Sequence, residues 1–223
     1  MGLSAAAPTG ASMSEVGGSR SSGADVKIVA DDPDVTEHEL AAGELACPDC
    51  EGELRPWGHA RRRWLRTRHG RRQLRPRRAC CQACRSTHVL LPGVALPRRA
   101  DAVEVIAEAL TANAAGVGHR PIAARLGRPE ATVRGWLRRF AARADQTITH
   151  AVACIYRYDP HVSRVQPDPE LTPVQSALAT LAQAAEACQR SVNKLARSRW
   201  QVVSALCSGR LLANTSCPYP QLR

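Results

Sequence analysis

At 223 residues the chain is long enough for one or two small domains, and no apolar run approaches the length of a membrane span. Nine cysteines is an odd number, and pairs at Cys-x-x-Cys spacing favour metal or redox chemistry over a disulfide framework. The start, Met1-Gly2-Leu3-Ser4, has no basic region followed by an apolar stretch, so a reducing cytoplasm is the expected compartment.

The net charge of +11 hides a sharper division. Residues 1–54 carry 2 basic and 11 acidic side chains, a net −9. Residues 55–143 carry 21 Arg, no Lys and 4 acids, a net +17, and residues 144–223 carry 8 basic and 5 acidic, a net +3. Codon bias in a GC-rich genome accounts for Arg in place of Lys, but not for the scarcity of acids. A polyanion is the expected partner of the middle third.

Residues 1–45 are Ala/Ser/Gly-rich, then acidic, with few large apolar residues. They predict a disordered acidic tail, with folding back onto the basic segment as the lesser alternative. Residues 46–97 predict a small β unit. Leu54–Arg66 reads as one strand carrying Trp57 and Trp64, His69-Gly70 as a turn, Gln73–Cys81 as the returning strand, and Thr87–Leu91 as a short run stopped by Pro92. So small a unit needs a metal to hold it.

Over residues 98–145 the period becomes helical. Val103, Ile106, Ala107, Leu110 and Ala114 share one face, and Gly116 and Gly118 end that helix. Pro121 opens a second, Ile122–Leu126; Gly127 breaks it; Pro129 starts a third, Glu130–Arg143. Residues 146–172, with Asp159-Pro160 and Pro167-Asp168-Pro169, read as a linker. In residues 173–209, Val174, Leu178, Leu181, Ala185, Cys188, Val192 and Leu195 form an a/d-type seam. That seam fits a packed intramolecular helix or a homodimer through residues 174–206. Residues 210–223 read as a tail. The fold class is mainly α with a small β zinc ribbon, a three-helix helix-turn-helix unit and C-terminal helices.

Two Cys-x-x-Cys turns, Cys47/Cys50 and Cys81/Cys84, can present four thiolates to one metal in a closed tetrahedron, which is a structural zinc site. Cys80 could stand in for Cys81 at a looser spacing, or His59, His69 or His88 for one thiol. A thioredoxin-like redox pair needs a strand–helix setting that the basic β context does not supply, and an iron–sulfur cluster is the remaining alternative to zinc. Cys154, Cys188, Cys207 and Cys217 read as ordinary thiols.

In the run Arg120–Phe140, Ala123 is small where helices cross, and Gly127 suits a left-handed turn. Ile122, Leu126, Val133, Trp136 or Leu137, and Phe140 fill the core. The other face of the third helix presents Glu130, Ala131, Thr132, Arg134, Arg138 and Arg139. Arg134 is placed for a guanine contact, and Arg120, Arg138 and Arg139 for phosphates. A three-helix unit with a merely solvated arginine face is the competing reading. Arg128 departs from the pattern, standing where an apolar residue is usual.

The order Cys-Pro-x-Cys, arginine-rich hairpin, Arg-Arg-x-x-Cys-x-x-Cys, Thr-His-Val-Leu-Leu-Pro and Thr-Val-Arg-Gly-Trp-Leu-Arg-Arg-Phe is similar to the N-terminal half of insertion-element transposases. It resembles still more a family of high-GC actinobacterial proteins that carry a zinc ribbon and a helix-turn-helix without a nuclease domain. The likeness covers about residues 46–143, with a looser echo at Trp200 and at Gly209-Arg210-Leu211-Leu212. It implies zinc on the cysteine pairs and double-stranded DNA against the third helix. Transposase chemistry does not come with it, because after residue 143 only Asp145, Asp159, Asp168, Glu170 and Glu186 remain to hold catalytic metals. The expectation is a nucleoid-associated, non-enzymatic DNA-binding protein, acting as a regulator or mobile-element accessory. The alternatives are a degenerate transposase and an RNA binder.

Overall fold

The computed structural model describes residues 25–166, 168–192 and 198–213. The first correction comes at once. Residues 25–45 are not a tail but form strand β1 (Asp25–Val29) and helix α1 (Pro33–Ala41). Asp32 caps α1 by accepting from the Asp34 N–H at 2.9 Å, with Pro33 in the first turn. Strand β1 pairs parallel with β6 (Thr87–Pro92), Val26 opposite Val89 and Ile28 opposite Leu91. The acidic stretch thus folds back onto the basic one, and Glu37 pairs with Arg77 at 2.8 Å. Residues 1–24 lie outside the described residues.

The long hairpin exists but is broken in two. Its base is β2 (Leu54–His59) against β5 (Arg77–Cys81), with an irregularity between Pro56 and His59. Its tip is β3 (Arg63–Thr67) against β4 (Gly70–Leu74), a separate two-stranded sheet. The main sheet runs β1-β6-β5-β2, so β2 is an edge strand, where Pro56 costs no ladder bond. A small core of Val29, Leu40, Leu45, Cys47, Leu54, Ala79, Cys81 and Leu90 lies between this sheet and α1.

Three helices follow where the periodicity placed them: α2 (Val103–Ala114), α3 (His119–Leu126) and α4 (Glu130–Ala141). Gly127 takes φ 60° and ψ 43°, the left-handed cap that turns α3 into α4. Ile122, Ala123, Leu126, Val133, Trp136 and Phe140 are buried between them.

The expected linker is largely helix α5 (Ala144–Tyr158). Its buried stripe of Ala144, Thr147, Ala151, Cys154 and Ile155 packs along α6 (Pro173–Ser191), whose inner face holds Ala177, Leu181, Ala184, Ala185 and Cys188. The described residues between them, 159–166 and 168–172, are irregular. Leu181, Ala185 and Cys188 of the proposed seam are therefore buried inside the chain. Leu195 lies outside the described residues. The C-terminal helix does not run on to Gly209: α6 ends at Ser191, and a separate α7 (Arg199–Leu206) starts on a Ser198/Gln201 capping box. In the expected tail, Leu211 and Leu212 are buried, and Arg99 donates to the Leu212 carbonyl at 2.7 Å. No helix among the described residues is long and apolar enough to cross a membrane.

Candidate metal centre and basic surface

The two Cys-x-x-Cys segments build matching turns. In the first, the Cys47 N–H donates to the Gly52 carbonyl at 2.7 Å; in the second, the Cys81 N–H donates to the Ser86 carbonyl at 2.9 Å. Each turn has a left-handed residue just after its second cysteine, Glu51 and Arg85, both at φ 62°. Arg85 thus adopts the backbone that glycine favours. Gly52 serves another purpose. A Cβ there would stand 2.8 Å from the Ala83 Cβ and 3.1 Å from the Cys81 Sγ, so its bare backbone lets the turns meet.

The sulfurs of Cys47, Cys50, Cys81 and Cys84 lie within 4.8 Å of one another and can hold a metal ion. Cys47 Sγ is 3.7 Å from Cys84 Sγ, and Cys50 Sγ is 3.5 Å from Cys81 Sγ. A tetrahedron with metal–sulfur bonds of about 2.3 Å has edges of about 3.8 Å, close to both. Cys80 stands apart from the cluster, with its thiol directed at the Cys81 and Arg85 carbonyls. Of the three alternative histidines, only His88 reaches the cluster. It is fully buried, with Nε2 3.3 Å from Cys47 Sγ and 3.9 Å from an Asp49 carboxylate oxygen.

The thiols differ widely in acidity. Burial, helped by the neighbouring Cys84 and Cys81, pushes Cys47 up to about 12, against backbone hydrogen bonds that lower it. Hydrogen bonds from the Ser86 side chain and backbone bring Cys84 down to about 6. A divalent cation among them would favour the thiolate at every position. Lys27 on β1 faces this region. Burial lowers its pKa, and the Cys47 sulfur partly opposes that shift.

The candidate nucleic-acid residues sit on α3 and α4. Arg134, Arg138 and Ala131 are exposed, Thr132 is half-buried, and neither Arg134 nor Arg138 has an acidic partner among the described residues. Arg120 and Glu130 face each other at 3.5 Å across the α3–α4 turn, both largely exposed. Arg139 instead lies back along its own helix, donating to the Gly135 carbonyl at 3.0 Å.

Asp101, which the motif reading passed over, is the hub of the junction. Its side chain is only 3% exposed and accepts from Arg66 of β3 at 2.6 Å and from Arg128 at 2.5 Å. Arg128 also donates to the carbonyls of Leu126 at 3.0 Å and Thr67 at 3.1 Å. The residue that broke the expected pattern thus joins the hairpin tip to the α3–α4 turn. Glu108 receives Arg68 at 3.3 Å and Arg125 at 3.4 Å nearby. Only 4 acids fall in residues 55–143, and asking what those few could be pairing with would have found both.

A domain family described as a domain of unknown function (DUF6431) matches residues 47–150, from the first cluster cysteine to the middle of α5. No curated protein and no solved structure matches the chain.

Proposed function

We propose that the chain is a DNA-binding protein in which the four cysteines hold a structural zinc ion and α4 enters the major groove. The observation that carries this reading is the outer face of α4. Among the described residues, Arg134 and Arg138 are exposed there without acidic partners, on a helix anchored beneath by Val133, Trp136 and Phe140 and entered through the left-handed Gly127 turn. That is the placement a recognition helix needs in a helix-turn-helix. Arg134 reads a base edge, and Arg138 and Arg120 hold phosphates. The resemblance to zinc-ribbon and helix-turn-helix proteins of mobile elements supports a regulator or accessory role. Two of the C-terminal acids that a nuclease would need, Asp159 and Glu186, are engaged instead by Arg190 and Arg199.

Titration of labelled duplex DNA at increasing salt tests this. The logarithm of the affinity should fall steeply with the logarithm of salt, about 0.9 per phosphate contacted. Arg138→Ala should weaken binding to all sequences and reduce that slope by about 1, whereas Arg134→Ala should relax sequence preference. Absence of duplex binding at low salt overturns the reading. The stoichiometry of the same titration tells a monomer from a homodimer.

A further inference from the structure

The ribbon hairpin carries two features that a major-groove helix does not use. Trp57 on β2 and Trp64 on β3 are each 56% exposed, and neither packs against either core. Tryptophan is a costly side chain to leave in water, and its enrichment at interfaces reflects that. The two flank the joint where β2 gives way to β3, at most about 25 Å apart along the chain. Between them stand Arg61 and Arg62, both exposed. Trp64 is paired across the tip with Gln73, and the next pair on the same face is Arg66, which Asp101 holds, and exposed Arg71. Exposed Arg75 closes the opposite side of the joint. Glu37 and Glu53 are held by Arg77 and Arg55, and Asp101 by Arg66 and Arg128.

We infer that this hairpin binds single-stranded nucleic acid, stacking unpaired bases on the exposed Trp57 and Trp64 while Arg61, Arg62, Arg71 and Arg75 hold the phosphates. A flat indole needs a flat partner, and in an intact duplex the base faces are already covered. Guanidiniums without acids among them select for polyanions. The inference rests on the nucleic-acid reading above but uses a different surface, so the two can fail separately. Its consequence is a preference for DNA that is locally unpaired next to a duplex.

The test uses the full chain with fluorescein-labelled oligo-dT and a blunt duplex of mixed sequence, read by anisotropy and by tryptophan fluorescence. Oligo-dT should bind and quench the emission of the exposed indoles. Trp57→Ala and Trp64→Ala should each weaken oligo-dT binding by about 5- to 100-fold and leave the blunt duplex unchanged, while Trp64→Phe keeps most of the affinity. Arg138→Ala should do the reverse. Failure of duplex binding with oligo-dT binding still dependent on the tryptophans removes the α4 reading and leaves this one standing. Oligo-dT binding that is absent, or unaffected by both alanine variants, overturns it. So does equal competition by polyglutamate, which would make the face a general anion or acidic-protein surface.

Discussion

Cys80 and Cys81 are neighbours on β5, and alternation along the strand sends their side chains to opposite faces. Cys81 Sγ lies in the four-sulfur cluster; Cys80 Sγ lies against backbone carbonyls. Replacing either with serine changes almost no volume, so the two variants isolate ligation. Cys81→Ser should lose the bound metal and expose the amides of residues 46–92 to hydrogen exchange. Cys80→Ser should keep one metal per chain and near wild-type protection. Equal metal loss in both variants would sink the ligand assignment. The choice between these adjacent cysteines was legible in the x-x spacing, because a two-residue gap is what lets one turn present both sulfurs. The left-handed backbone at Glu51 and Arg85 was not legible, since neither residue type signals it.

Helix α1 contributes one large side chain to the sheet's core, Leu40, which is fully buried with seven other core residues. The ribbon therefore depends on a segment whose composition reads as a tail. Leu40→Ala should destabilise the protein by about 2–5 kcal/mol in chemical denaturation, because so small a core cannot collapse around the cavity. Val35→Ala on the same helix, at a side chain 42% exposed, should change stability by less than about 0.5 kcal/mol. Similar effects from the two would mean that α1 is not docked as described. The reason α1 was missed is physical: a nine-residue helix that buries only Thr36 and Leu40 leaves no stripe to detect, and β1 is held by a parallel pairing with residues more than sixty positions away. The same holds for α5, whose inner face of Ala, Thr, His and Cys carries one large apolar residue, Ile155, too few to register as a core face. Helices α2 to α4 were legible because Val103, Ile106, Leu110, Ile122, Val133 and Phe140 are large, periodic and punctuated by glycine.

Leu65 and Leu74 of the hairpin tip belong to the same core as helices α2 to α7, so a boundary drawn at residues 97/98 cuts through shared packing. The polar counterpart of that packing is Asp101 with Arg66 and Arg128. Backbone bonds from the Arg66 N–H to the Ala100 carbonyl at 2.7 Å and from the Ala102 N–H to the Arg66 carbonyl at 2.9 Å reinforce it. These ties join the cysteine-cluster sheet to the three-helix unit and hold the hairpin tip against the α3–α4 turn. Removing Asp101 leaves two guanidiniums facing each other, with Arg128 only 13% exposed, and nothing to neutralise them. Asp101→Ala should cost about 3–5 kcal/mol, the usual penalty for breaking a buried ion pair from one side. It should also change the form of unfolding. In the wild type, metal release and loss of helical circular dichroism should coincide along a urea titration, as one two-state transition. In Asp101→Ala the two curves should separate, the junction having lost its strongest tie. Replacing Arg128 with leucine in the Asp101→Leu background should recover part of the stability, since an apolar pair needs no neutralisation. Coincident curves in Asp101→Ala, with stability within about 0.5 kcal/mol of wild type, would show that the apolar contacts of Leu65 and Leu74 alone join the two halves.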